Sequence, residues 1–445
     1  MRKKIMCMML AVLTACTCLC GCGSKAKKNN VDKKEGKVVN IYSWNTEFKG
    51  IYEAYAKDLA KKHGVDVNFI VITNDYSAYQ TNLDEALTEQ DKAIDDDKVD
   101  IFLIEADYAS KYVKSDYTLD VVKDVGLEKE DLSQQYKYTK DIVSDNDSLK
   151  GVSWQATPGL FAYRRSIAKK VLGTDEPNKV QEKLKDWNSF DKVAQQMNTA
   201  GYKMLSGYDD AFRTFSNNMS GPWVDNNKIR IDDSMRRWVK QTKAYTDKNY
   251  NNKTTLWSPG WSKDQGPEGK VFGFFYSTWG INFTLKGNSL ADKDAKAEKG
   301  NGIYGDYAVC EGPQPYYWGG TWICAANGSD NIPFIRDLMY RLTCDSDTMK
   351  KITMDTLDYT NNQKAMEEIA DSDYSSDFLG GQNHIALFAE AAKKIDMSNI
   401  TEYDSGLNEK FQSAMHDYFD GKVDYDTALD NFYGEIKKRY PKLSH

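Results

Sequence analysis

The stretch NIYSWNTEF, Asn40 to Phe48, sets the reading of the chain. It begins as a buried strand, then places Trp44 among small polar residues where a helix should start. Val38 to Tyr42 is the compact apolar strand, and Phe48, Ile51, Tyr52, Tyr55, Ala56, Leu59 and Ala60 recur at helical spacing until Gly64. A second strand follows over residues 65–72, a second helix over 76–94 and a third strand over 100–104. Strands alternating with helices predict a parallel sheet with helices on both faces. Ligands of such sheets bind beyond the carboxyl ends of the strands. Those positions hold Trp44, Asn45 and Glu47 after the first strand, Thr73, Asn74 and Asp75 after the second, and Glu105 and Asp107 after the third.

Working outward, Arg2, Lys3 and Lys4 precede an uncharged, largely apolar run over 5–22, the pattern of an export signal. The run ends in Leu19-Cys20-Gly21-Cys22, which resembles the lipobox of bacterial lipoproteins, so Cys22 is the expected lipidation site, with Cys16 the alternative. Two acyl chains on one cysteine make a stable membrane anchor. Residues 23–36, polar and rich in lysine, read as a flexible tether. Five of the eight cysteines lie in the signal, leaving Cys310, Cys324 and Cys344, an odd number that is no disulfide framework; three buried thiols are the expectation, with one bonded pair such as Cys310 and Cys324 the alternative in an exported chain. A chain of 445 residues is too long for one ordinary core, which predicts two lobes. Its net charge of −7 offers nothing to nucleic acid.

The ten tryptophans are the informative set. Several sit beside Gly, Pro, Ser, Thr or Asn, as in SGPWVDNN, WSPGW, YSTWGINF and YYWGGTW, rather than inside apolar periodic runs. The C–H faces of a pyranose stack on an aromatic plane, while its hydroxyls need directed donors and acceptors at the rim. Trp44 and Trp279 are the leading candidates for ligand contact, followed by Trp154, Trp223 and Trp322. Trp257, Trp261 and Trp318 rank behind them, and Trp187 and Trp238 read as packing. Enzymatic motifs are absent: His63, His384, His416 and His445 are scattered, with no HExxH spacing, no Gly-rich phosphate loop and no GxSxG. No metal or cofactor is expected. A glycoside hydrolase needs only two carboxylates across a cleft, so an enzyme on the same scaffold stays open, as do a cysteine-dependent transferase and a receptor for a non-sugar solute.

The order of these features resembles the extracellular solute-binding proteins of carbohydrate ABC transporters. The lipobox at Cys22, VVNIYSWN, VDIFLIEADYAS, GVSWQATPGLFAYRRSIAKKVLG, GKVFGFFYSTWGINFTL and GTWICAANGSDNIPFIRDLMYRLT carry the resemblance, over nearly the whole mature chain. It implies an α/β, two-lobed periplasmic-binding-protein-like fold, each lobe a mainly parallel sheet flanked by helices, with hinge crossovers and the ligand cleft between lobes. The boundaries are then 1–22 for the signal and lipidated cysteine, 23–36 for the tether, 37–154 with 306–350 for the first lobe, and 155–305 with 351–445 for the second. By the same resemblance Asn45, Glu47, Asp107, Tyr163 and Trp279 fall at ligand contacts or cleft walls. Trp44, with polar neighbours Asn45 and Glu47, is read from its own position as a sugar-stacking platform on the cleft rim. The implied partners are a carbohydrate, expected to be an oligosaccharide, and the permease subunits. The implied protein is a monomer on the outer face of the bacterial cell membrane. Arg164-Arg165 after Tyr163 and the aromatic-rich YYWGGTW depart from the family pattern and leave the sugar's identity open.

Overall fold

The structure, a computed structural model, describes residues 37–73 and 77–445. The signal, Cys22, the tether and Asp75 lie outside the described residues. Eight strands matter for the site: β1 (Val38–Ser43), β2 (Asp66–Val71), β3 (Val99–Glu105), β4 (Val152–Ser153), β5 (Gly159–Arg164), β6 (Gly273–Ser277), β7 (Tyr307–Cys310) and β8 (Thr321–Ala325). They form a five-stranded sheet of order β2-β1-β3-β8-β4 and a three-stranded sheet of order β6-β5-β7.

In the first sheet β1 runs parallel to β2, from Val38 opposite Asp66 to Ser43 opposite Val71, and parallel to β3. β8 returns antiparallel, with Thr321 opposite Glu105 and Ala325 opposite Ile101. Side chains alternate across a strand, so the continuous apolar run of β3 serves two cores. Ile101 and Leu103 join the larger core with Val39, Ile41 and Ile323, while Val99, Phe102 and Ile104 join a smaller one with Tyr79, Trp322 and Cys324. The helix after β1 spans Glu47–Tyr55, breaks, resumes over Asp58–His63 and stops at Gly64 in a left-handed conformation (φ 69°).

The second sheet differs from the expectation: it is antiparallel in both pairings. β5 leaves the junction between the lobes, and β6 and β7 run back toward it, Ser277 opposite Gly159 and Cys310 opposite Phe161. β7 therefore lies in the small sheet and not with residues 37–154, and the chain recrosses between Cys310 and Thr321. Helices Trp187–Thr199, Asp233–Asp247 and Asp404–Phe419 flank this half, and Ile332–Thr343 packs behind the first sheet.

Three segments connect the halves, and backbone bonds join them side by side. Residues 154–158 lie in the middle. On one side Asn361 N–H donates to Trp154 O (2.8 Å) and Ala156 N–H to Tyr359 O (3.2 Å). On the other, Gly159 N–H donates to Tyr316 O (2.7 Å) and Trp318 N–H to Thr157 O (3.3 Å).

Cys310, Cys324 and Cys344 are buried free thiols, as expected, and burial pushes the Cys310 and Cys344 thiols up to about 12 and about 11. Trp154 is a core residue, fully buried and tilted against Phe48 with ring centroids 5.2 Å apart. Trp154→Ala is expected to cost about 3–5 kcal/mol, the range for an aromatic deleted from a packed core. Urea unfolding checks this, and a loss under 1 kcal/mol would overturn the core assignment.

Candidate ligand-binding site

A cavity of about 370 Å³ opens where the carboxyl ends of β1 and β3 meet the connecting segments and the chain after β6. From the β1 end come Trp44, Asn45 and Glu47. Asn45 shapes this corner: its side-chain oxygen accepts from Glu47 N–H (3.0 Å), and its backbone oxygen accepts from Ser43 Oγ (2.7 Å). This short-range turn starts the helix and sets Glu47 in its first turn. Trp44 is held edge-on by Tyr79 and Tyr108, with centroids 5.7 and 6.2 Å away.

From the β3 end come Glu105 and Asp107. Asp107 meets Arg213, on the short helix Phe212–Ser216 of the other half, in a bidentate pair with Nη1 to Oδ1 at 2.8 Å and Nη2 to Oδ2 at 2.6 Å. Burial opposes the Asp107 charge, but the guanidinium and its two hydrogen bonds outweigh it and hold the carboxyl below its usual value. Glu105 has no such partner. Burial first, and the Asp107 charge second, push it up to about 8. Glu47 is likewise pushed up to about 8 by burial and then by Asp358, although Gln155 donates to its Oε1 at 2.9 Å. The same Gln155 amide donates to Asp358 (3.1 Å), a carboxyl also raised by burial.

The opposite wall is aromatic. Trp257, Trp279, Trp318 and Phe283 line it. Trp257 and Trp279 lie near parallel (6.0 Å, 20°), Trp318 meets Trp279 edge-on (5.2 Å, 75°), and Trp279 Nε1 donates to Trp318 O (2.9 Å). Trp257 is 53% exposed and sits at φ 67°, and Phe283 is 65% exposed. Left-handed backbone at a bulky residue is strained and collects at functional positions. Phe283 lies in a π-helical turn, Ile281–Leu285, another feature frequent at such sites. Gly319 and Gly320 pass between the walls at φ 71° and 113°. A Cβ on Gly320 would approach the Trp322 ring at 3.0 Å, and one on Gly319 would approach Trp279 Nε1 at 3.4 Å.

Of the residues singled out from sequence, Trp44, Asn45, Glu47, Glu105, Asp107 and Trp279 thus line one cavity. Trp154, Tyr163, Trp223 and Trp322 do not. All four are buried, and the polar atoms of the last three are spent inside the protein: Tyr163 hydroxyl on Asp175 O, Trp223 Nε1 on Asn408 Oδ1, and Trp322 Nε1 on Thr139 O. Sequence reasoning ranked Trp257 and Trp318 too low and missed Gln155, Arg213 and Phe283. The signal for the first two was present, since WSPGW and YYWGGTW each pair a cavity tryptophan with a buried one: Trp261 donates to Asp210 (3.0 Å), and Trp322 lies within β8. Arg213 carried no local signal. Among the described residues, no group of three or more His, Cys, Asp or Glu converges as a metal site would require, and no helix is long and apolar enough to cross a membrane.

The fold and this interlobe cavity define a solute-binding architecture. The profile of the bacterial extracellular solute-binding proteins matches residues 54–374, and the chain belongs to that family. No curated protein matches it in sequence. Solved structures share its fold. An extracellular solute-binding protein of family 1 is 18% identical with a TM-score of 0.73, over 90% of this chain and 99% of that one. The ABC transporter associated binding protein from B. animalis subsp. lactis, in complex with beta-1,6-galactobiose, is 18% identical with a TM-score of 0.66, over 91% and 97%. The galacto-N-biose-/lacto-N-biose I-binding protein from Bifidobacterium longum, with lacto-N-biose, is 13% identical with a TM-score of 0.67, over 93% and 100%.

The raised carboxyls carry a pH signature. Folded Glu105 and Glu47 retain protons that the unfolded chain releases above the ordinary glutamate value of 4.5, so the folded state binds more protons between there and about 8. Their contribution to stability is present at pH 4.5 and below, and is lost as pH rises through about 8. Glu105→Gln is therefore expected to stabilise the empty protein relative to the parent at pH 8 and to change it little at pH 4.5. Urea unfolding at the two pH values checks this, and an equal effect at both would overturn the protonation assignment.

Proposed function

We propose that the protein is an extracytoplasmic receptor that binds a carbohydrate, an oligosaccharide in preference to a monosaccharide, by closure of its two lobes and passes it to an ABC transporter permease. One observation carries this reading: a panel of indole rings faces carboxylates across a cavity whose walls come from both halves of the chain. Rings supply flat apolar area for the C–H faces of a sugar, and the carboxyl groups exchange hydrogen bonds with its hydroxyls. The disaccharides held by structures of the same fold support the same class of ligand. A ligand that touches both walls favours the closed arrangement by its differential affinity, and the closed form is what the permease recognises.

In this reading the chain acts as a monomer without cofactor or chemical step, anchored through lipid on Cys22 and spaced from the membrane by residues 23–36. The inert character of the three thiols supports the absence of cysteine chemistry. The first lobe comprises residues 37–154 and the return through β8, and the second comprises the intervening residues and the C-terminal helices.

A thermal-shift screen against mono- and oligosaccharides, amino acids and peptides tests the class. A binder at 100 times its dissociation constant adds about 2.7 kcal/mol. Stabilisation by a sugar recovered intact is the expected result. A sugar recovered cleaved points instead to a hydrolase, and stabilisation by peptides alone overturns the carbohydrate reading. Trp279→Ala and Trp44→Ala are each expected to weaken the identified sugar roughly tenfold, from the 0.5–1.5 kcal/mol of an aromatic stack plus the apolar area lost. Titration calorimetry reads this directly, and unchanged affinity in both variants would remove stacking from the mechanism.

A further inference from the structure

The charges lining the cavity do not balance. Three carboxyl side chains line it, Glu47, Glu105 and Asp107, against one cationic side chain, Arg213. That cation is committed to Asp107, which both of its terminal nitrogens bond. The side-chain amide of Gln155 is spent on Glu47 and Asp358, and the indole N–H of Trp279 on Trp318 O. Glu105, facing the cavity, has no hydrogen-bond or ion-pair partner among the described residues. The lining is rich in carboxyls and short of positive charge.

Arg213 acts on Glu105 only at a distance and as the partner of Asp107, so an ionised Glu105 is costly, and the cost is relieved when a ligand supplies both charge and donors. A neutral sugar supplies hydroxyl donors but no charge. An ammonium has three donors and no acceptor, and aromatic faces attract it as well. Building on the carbohydrate reading above, we propose that the solute is a sugar bearing a free amino group, its ammonium paired with Glu105 and its ring against the tryptophan panel. Glu47, whose carboxyl already meets Gln155, completes the anionic side of the cavity. The raised affinity of Glu47 and Glu105 for protons in the empty cavity has the same origin, since a proton there stands in for the missing cation.

The test is a matched set of sugars. Gluco, galacto and manno mono- and disaccharides are each presented to the protein in 2-hydroxy, 2-acetamido and 2-amino forms at pH 7, with affinity read by calorimetry. The expected result is that, in at least one series, the amino form binds ten-fold or more tighter than both counterparts. Glu105→Gln, with its melting temperature confirming a folded chain, is expected to cut that ratio to about threefold or less. Hydroxy or acetamido forms that bind as tightly as the amino form would overturn this proposal and leave the carbohydrate reading standing. A preference that persists undiminished in the folded variant would overturn the assignment to Glu105. Absence of binding by every form in every series would overturn both readings together.

Discussion

The backbone hydrogen bonds among the three connecting segments are what the rest of the structure depends on. Residues 154–158 are bonded on one side to residues 359–361 and on the other to residues 316–318, so the junction is a short ribbon and not three independent linkers. The ribbon supplies the cavity with Gln155 and Trp318, and Gly319 and Gly320 let the chain leave it without side chains between the walls. A ribbon of this kind resists stretching and shear but tolerates bending about its own direction. That is the mechanical property required where two lobes close on a ligand by absorbing backbone rotation in a few residues.

Strand direction explains why the cavity walls have their composition. β1 and β3 end at the junction and deliver Trp44, Glu47, Glu105 and Asp107. In the other half the antiparallel arrangement does the same work: β6 and β7 run toward the junction, so the residues after them, Trp279 on one side and Trp318 on the other, arrive at the cleft. A parallel small sheet would carry both of these ends away from it. The departure from the sequence expectation is therefore the feature that places the aromatic wall opposite the acidic one.

The first half was legible because its signals are local. Apolar strand, polar break and helical spacing appear in consecutive residues, and the rule that ligands meet strand ends then points to Trp44, Asn45, Glu47, Glu105 and Asp107 without further information. The second half was less legible because a loop tryptophan is ambiguous until its neighbours in space are known. Trp257 and Trp261 share a five-residue stretch of loop-like sequence, yet one precedes the helix Pro259–Asp264 and is exposed, while the other lies in it, buried against Asp210. Trp154 and Trp223 sit beside glycine or polar residues in sequence and are nonetheless core, packed against Phe48 and Phe411, partners that lie far away in the chain. Arg213 was invisible for a different reason: its partner is 106 residues away, and no periodicity records an ion pair of that separation.

That pair links the electrostatics of the site to lobe closure. Arg213 and Asp107 belong to different halves, so their two hydrogen bonds form fully only when the halves are close. Burying the pair costs desolvation of both ions, which offsets much of their attraction. The guanidinium nonetheless holds Asp107 ionised against burial, so the pair favours the joined arrangement, and a solute adds to it by its own differential affinity. Glu105 sits beside this balance. Its charge adds to that of Asp107 in acting on Arg213, and a proton on it withdraws that pull, so the charge state of Glu105 bears on the ion pair that joins the two cavity walls.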